Sequence, residues 1–174
     1  MTTPPKHPAG EYAADPAPAA DRRAELIAQI EAAPAALRAA VAGLTDAQLD
    51  TKYVNWTARQ IAHHMADSHL NAFARFKLAL TEDAPTIKPY GQDAWAGTAD
   101  VLGEPVETSV RLLEALHARW VRLLRSMGEA DFARTFVHPE YGKTYTLGEA
   151  LGVYAHHGRH HTAQIAWLRQ HHGW

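Results

Sequence analysis

An all-α fold, a four-helix bundle with long connections, is what the sequence predicts, and three observations carry that prediction. Apolar residues recur at alternating spacings of three and four over long stretches, capping sequences mark where those stretches begin, and Pro/Gly-rich segments separate them. With 174 residues and 47% apolar content, the chain is sized for one core. Residues 1–20, where Pro4, Pro5, Pro8, Pro16 and Pro18 stand among Ala and Gly, form an irregular arm, and residues 21–174 form a single helical domain.

The first helix opens at Asp21, a favoured N-cap, and carries Leu26, Ile30, Ala33, Leu37, Ala40 and Leu44 along one stripe. Pro34 interrupts it. An interior proline removes one backbone hydrogen bond and costs on the order of 3 kcal/mol, so a kink or break is expected there. Thr45-x-x-Gln48 and Thr57-x-x-Gln60 are capping boxes, and the second opens a long helix reaching about Leu80. Residues 81–104 hold Pro85, Pro89, Gly91, Gly97 and Gly103 with little periodicity, a connection long enough to run the length of a bundle, so the helices on either side can be parallel. Pro105 starts the next helix, with Val106, Val110, Leu113, His117, Trp120, Leu124 and Met127 on its seam and Gly128 at its end. Aromatic and β-branched residues flank a Pro/Gly turn over 135–146, the pattern of a small hairpin. Thr146-x-x-Glu149 opens the last helix, whose seam is Leu147, Leu151, Tyr154, Gly158, His161, Ile165 and Leu168.

Composition narrows the function. A net charge of −2 argues against a general nucleic-acid binder, which needs a basic face. No cysteine is present, which removes disulfides, thiolate metal sites and a cysteine nucleophile. The chain shows neither a signal-peptide pattern nor an apolar run of membrane-spanning length, so a soluble, cytoplasmic protein with no membrane partner is expected.

Histidine is the outlier, at twelve residues. In the last helix His156 and His157 lie four residues before His160 and His161, so each pair shares a face. At about 100° per residue, His161 falls in the apolar seam and His157 on its margin, whereas His156 and His160 point outward to a solvated face. A lone inward histidine is more often a hydrogen-bonded core residue, but two neutral imidazoles one turn apart can converge on one ion. Two ligands leave a site incomplete, and a third must come from another helix. Trp56–His69 offers His63, His64 and His69, among which periodicity does not choose: His69 lies nearest the apolar face, His64 at its edge and His63 furthest out.

Several stretches together resemble the DinB-like superfamily, and more closely its YfiT-like branch, described as candidate metal-dependent hydrolases and including bacillithiol S-transferases. The resemblance runs from about residue 20 to Trp174 through W-T-x-R-Q-I-x-H-H-M-A-D-S-H, F-K-L-A-L-T-E, P-T-I-K-P-Y, L-H-x-R-W-V and H-G-R-H-H-T-A-Q-I. It implies an up-down-down-up bundle, a homodimer, and metal ligation by the second histidine of H-H-M-A-D and the histidines flanking G-R-H, which are His64, His157 and His161 here. The arm before residue 20 carries no family motif.

Three histidines on one divalent ion per chain leave a position for water or substrate. Such an ion can bring the pKa of bound water from 15.7 to about 7, or hold a thiol of ordinary pKa about 8.5 as thiolate. Hydrolysis of a small molecule and transfer of a low-molecular-weight thiol such as bacillithiol are both open, and a noncatalytic metal-binding or metal-sensing bundle is the alternative. Zinc is the default and nickel the next choice. A di-iron carboxylate site needs two Glu-x-x-His motifs, and only Glu114-Ala-Leu-His117 has that spacing on a long helix. The His-Glu-x-x-His protease signature is absent. Asp67, one turn from His64, is either a ligand-orienting group or a surface carboxylate, and His117 is either a bonded core histidine or a substrate contact. Trp56, Tyr90, Trp95 and Trp120 could line a pocket, but aromatic residues at such positions usually pack cores, and none is assigned a binding role.

Overall fold

The structure, a computed structural model, describes residues 3–174. Residues 1 and 2 of the expected arm lie outside them. The described chain forms α1 (Ala20–Val41), α2 (Asp46–Leu49), α3 (Ala58–Thr81), α4 (Gln92–Ala96), α5 (Ala99–Gly103), α6 (Val106–Ser126), α7 (Glu129–Phe132), β1 (Thr135–His138), β2 (Lys143–Thr146) and α8 (Leu147–His172). The four long helices are α1, α3, α6 and α8.

Local chemistry sets most of their ends. Thr45 and Thr57 each accept from the backbone N–H three residues on, and Gln48 and Gln60 reach back, completing both capping boxes. At α8 only half of the box forms. Thr146 accepts from the Glu149 N–H, but the Glu149 carboxylate is taken by Lys143 of β2. Helix α1 begins one residue before Asp21, on an extended Ala19 with no side-chain cap, so the expected N-cap is corrected: Asp21 sits in the first turn, its carboxylate beside the positive end of the helix. The expected break at Pro34 does not occur either, since α1 is helical on both sides of that buried residue. A proline there strands only one acceptor, the carbonyl of Ile30. His117 of α6 donates to that carbonyl at 2.6 Å.

Two apolar clusters define the bundle and its directions. One joins Leu26, Ile27 and Ile30 of α1 to Ala72, Phe76 and Ala79 of α3, Trp120 and Leu124 of α6, and Leu147, Leu151 and Tyr154 of α8. The other joins Leu37 and Val41 of α1 to Ile61 and Met65, Val110 and Leu113, and Ile165 and Leu168. The start of α1 therefore shares one end with the start of α8 and the C-terminal halves of α3 and α6, which is the up-down-down-up order. Helices α3 and α6 run parallel, as the long 81–104 connection allows. Each long helix packs mainly on two neighbours, with α1 and α3 diagonal.

The hairpin forms at 135–146 with Thr135 opposite Thr146 and His138 opposite Lys143. Its turn ends on Gly142, whose φ of +57° suits a residue without Cβ. The connection between α3 and α6 docks along β1, with the Ile87 N–H donating to the Val137 carbonyl and the Val137 N–H to the Pro85 carbonyl. The N-terminal arm has no regular structure but lies against the body. Tyr53 Oη donates to the Pro5 carbonyl, Thr146 Oγ1 to that of Pro16 and Arg23 Nη1 to that of Pro18. Among the described residues no helix is long and apolar enough to cross a membrane.

Candidate metal centre

Between the two apolar clusters lies a layer of imidazoles. Helix α3 contributes His64 and His69, α6 contributes His117, and α8 contributes His157 and His161; His69 is fully buried, and His117 and His64 are 2% and 4% exposed. One ring nitrogen from each of His64, His157 and His161 lies within 4.8 Å of the others. His64 Nε2 and His157 Nε2 are 3.1 Å apart. Two imidazole nitrogens on one tetrahedral ion, each about 2.0–2.1 Å from it, stand about 3.3 Å from one another. The donor set and its spacing fit a divalent ion.

The proton on each ring follows from its partners. A carbonyl only accepts, so His117 Nδ1 carries the proton it gives to Ile30 O, and the neutral ring leaves His117 Nε2 as an acceptor. His69 Nδ1–H then donates to His117 Nε2 at 2.8 Å, which makes His69 Nε2 an acceptor in turn. His157 Nδ1–H donates to it at 3.2 Å. The outcome is a lone pair on His157 Nε2, the nitrogen that faces His64. The carbonyl freed by Pro34 thus anchors a chain of three imidazoles, His117, His69 and His157, that fixes the tautomer of the last and leaves its lone pair toward His64. His161 is held separately: its Nδ1–H donates to Gln164 Oε1 at 2.7 Å, leaving Nε2 free to coordinate.

Electrostatics keep these rings neutral. Burial depresses His64 to about 4 and His161 to about 3, with the charge of His64 adding to the effect on His161. His69 and His157 are pushed well below the ordinary value, first by burial and then by neighbouring imidazoles. His117 falls to about 4 through burial, partly opposed by its bond to Ile30 O. A neutral imidazole is the form that binds a cation.

Some residues sit differently from what periodicity predicts. His63, expected furthest out, is 4% exposed because the chain around α5 and α6 covers it, with Ser109 Oγ at 2.7 Å and the Glu104 carbonyl at 3.1 Å. His156 and His160, expected on a solvated face, are half-buried; Tyr12 of the arm lies over His156, and His160 Nε2 accepts from Gln164 Nε2. Asp67 is half-buried, has no hydrogen bond to His64, and burial raises its carboxyl. Trp56 covers His64, its ring centroid 4.5 Å from the imidazole, and is pinned by its Nε1–H to Asp93 Oδ1. Trp120 packs in the core as expected. Spacing did not mark Gln164 and gave Trp56 no binding role, because both act through a neighbour's orientation.

A cavity of about 250 Å³ opens beside the cluster, with His157 and His161 in its wall and Ser68, Arg75, Tyr90, His138 and Tyr154 around it. A larger open groove of about 860 Å³ lies between α1 and α6. It carries no convergent chemistry, since Glu31 is paired with Arg125 and Glu114 with Arg38.

Comparison with known proteins shows the family and the fold. Residues 29–165 match the family model described as the DinB superfamily. The chain is 49% identical over 172 residues to a candidate metal-dependent hydrolase of Geobacillus thermodenitrificans, covering 97% of this chain and 96% of that protein. It is 42% identical over 170 residues to YfiT of Bacillus subtilis, a candidate metal-dependent hydrolase, with coverage of 97% and 96%. The solved structure of Bacillus subtilis YfiT, described as having an unusual four-helix bundle topology, superimposes with a TM-score of 0.93 over 97% of each chain.

Proposed function

The chain belongs to the DinB superfamily and is similar to YfiT and other candidate metal-dependent hydrolases, and from that premise we propose that it is an enzyme holding one divalent ion on His64, His157 and His161. The observation that carries the reading is the convergence of three neutral imidazole nitrogens within 4.8 Å, two of them on rings whose second nitrogen is already committed to a partner. When bound, the ion supplies Lewis acidity that brings a water or a low-molecular-weight thiol to its anionic form near neutral pH. The chain's own residues do the rest. His157 is oriented by His69 and His117, His161 by Gln164, and Trp56 shields His64 from solvent.

The adjoining cavity supports an enzyme over a purely structural ion, because substrate has room against His157 and His161. Zinc is the proposed ion and nickel the alternative. Thiol transfer from a donor such as bacillithiol, and assembly as a homodimer, belong to the same proposal. The test is incubation of metal-loaded protein with several thiols and an electrophilic acceptor, and in parallel with ester and amide substrates. Metal-dependent turnover is expected, lost with tight metal binding in His161→Ala. Full metal occupancy in that variant overturns the ligand assignment, and no turnover in any combination moves the protein to the noncatalytic class.

A further inference from the structure

The cavity beside the imidazole cluster is chemically one-sided. Arg75 of α3 reaches it half-buried, and one of its five N–H donors is spent on Tyr154 Oη at 2.7 Å. Among the described residues the guanidinium has no carboxylate partner, unlike Arg38, Arg59 and Arg125. Two polar atoms of the same wall are buried without a well-formed hydrogen bond: Tyr90 Oη, whose neighbour in the wall is Ser68, and His138 Nδ1 on a residue 6% exposed. Buried polar groups are rarely left unmade, because each stranded donor or acceptor costs about 1–3 kcal/mol. Two stranded atoms and an arginine without a carboxylate partner, around one small space, mark a place for a ligand that supplies acceptors.

We propose that this cavity seats the anionic end of the substrate, a single carboxylate on Arg75 flanked by Tyr90 Oη and His138, with the reacting end turned toward His157 and His161. The inference rests on the metal-enzyme reading and names its substrate class: a small carboxylic acid whose acid group lies a few bonds from the water- or thiol-reactive centre. Carboxylate suits the site better than phosphate, because one fixed cation faces the cavity and a guanidinium matches a planar two-oxygen acceptor. Glu140 also lines the space, from the exposed hairpin turn, where solvent screens its charge. Burial raises Tyr90 and the charge of Asp67 adds to the effect, but Asp67 is not part of the wall. At about 250 Å³ the cavity limits the ligand to a small molecule.

The test uses cobalt(II)-loaded protein titrated with 3-mercaptopropionate and with 3-mercaptopropanol, of equal length, read by the thiolate-to-cobalt absorption band. The acid is expected to bind about tenfold or more tightly than the alcohol. Arg75→Gln brings the two to within about threefold, the loss falling on the acid, while the cobalt spectrum before thiol addition reports an intact centre. Equal binding of the two thiols by the unaltered protein, or an unchanged ratio in Arg75→Gln, overturns the subsite. Should Arg75→Gln fail to fold, His138→Phe at matched volume replaces it and is expected to lower the acid's preference, with an unchanged ratio counting against the proposal. Calorimetry with succinate and with inorganic phosphate separates the subsite from the reaction: succinate binding without any turnover keeps the subsite and sinks the enzyme reading, and phosphate binding more tightly than succinate overturns the carboxylate.

Discussion

Replacing His117 by Phe removes one link of the imidazole chain while keeping most of its volume. The ring is 2% exposed and makes two buried hydrogen bonds, to Ile30 O at 2.6 Å and from His69 Nδ1–H at 2.8 Å. Its loss strands a carbonyl that Pro34 already denies a helical donor, and one ring nitrogen of His69. At about 1–3 kcal/mol for each stranded group, unfolding free energy falls by roughly 2–6 kcal/mol. The second effect is on the metal. With nothing to accept from Nδ1, His69 can carry its proton on Nε2, donate to His157 Nδ1, and so place the His157 proton on the nitrogen that faces His64. Outer partners of this kind change metal affinity by about 10–100-fold. The assay is competition for zinc with a chromophoric chelator, alongside long-range 1H–15N spectra that report which nitrogen of His157 is protonated. His117→Gln is the control, because its amide N–H can serve Ile30 O and its oxygen can accept from His69; it should hold zinc within about threefold of the unaltered protein. Zinc binding by His117→Phe at unaltered affinity, with the His157 proton still on Nδ1, would refute the chain of reasoning.

Three further outcomes are expected. In the metal-free protein His64 and His117 titrate near about 4, below the ordinary 6.5, so the unfolded chain takes up more protons under pH 6.5 and stability falls as pH drops from 6.5 toward 4; each ring lowers it by about 2 kcal/mol at pH 5. Urea unfolding at pH 7.5 and pH 5 measures this, and equal stabilities would contradict it. A Cβ at Gly158 would stand 3.3 Å from Ala33 Cβ and 3.5 Å from His69 Cε1, so Gly158→Val overpacks the α1–α8 contact by about 1–3 kcal/mol and weakens metal binding by displacing His69, both readable by thermal unfolding and zinc competition. Thr57→Ala removes the capping box of α3 and costs about 1 kcal/mol in urea unfolding, with the metal affinity of the folded protein retained.

How much of this was legible beforehand varies with the range of the forces involved. Capping at Thr45 and Thr57, the length of α3 and α6, and the shared face of His157 and His161 are set within four residues along the chain, and the sequence by itself determined them. A helical period also names the direction of a side chain about its own axis. It does not name what waits in that direction, which is why His63, His64 and His69 stood equal until the family motif singled out His64. Burial of His63 came from Glu104 and Ser109, some forty residues away, and the half-formed cap at Thr146 came from Lys143 on the same strand, six residues before the Glu149 it pairs with.

Pro34 shows the division most clearly. Sequence dictated that Ile30 would lose a hydrogen bond, since proline has no N–H to give. Only the tertiary structure decided what the vacant lone pair was for: α6 brings His117 to it from 87 residues along the chain, and the bond that a helix alone could not make becomes the fixed end of the proton order leading to His157. A backbone acceptor obeys local rules, but its replacement partner is chosen by packing, where a buried group must be satisfied by whichever neighbour the fold delivers.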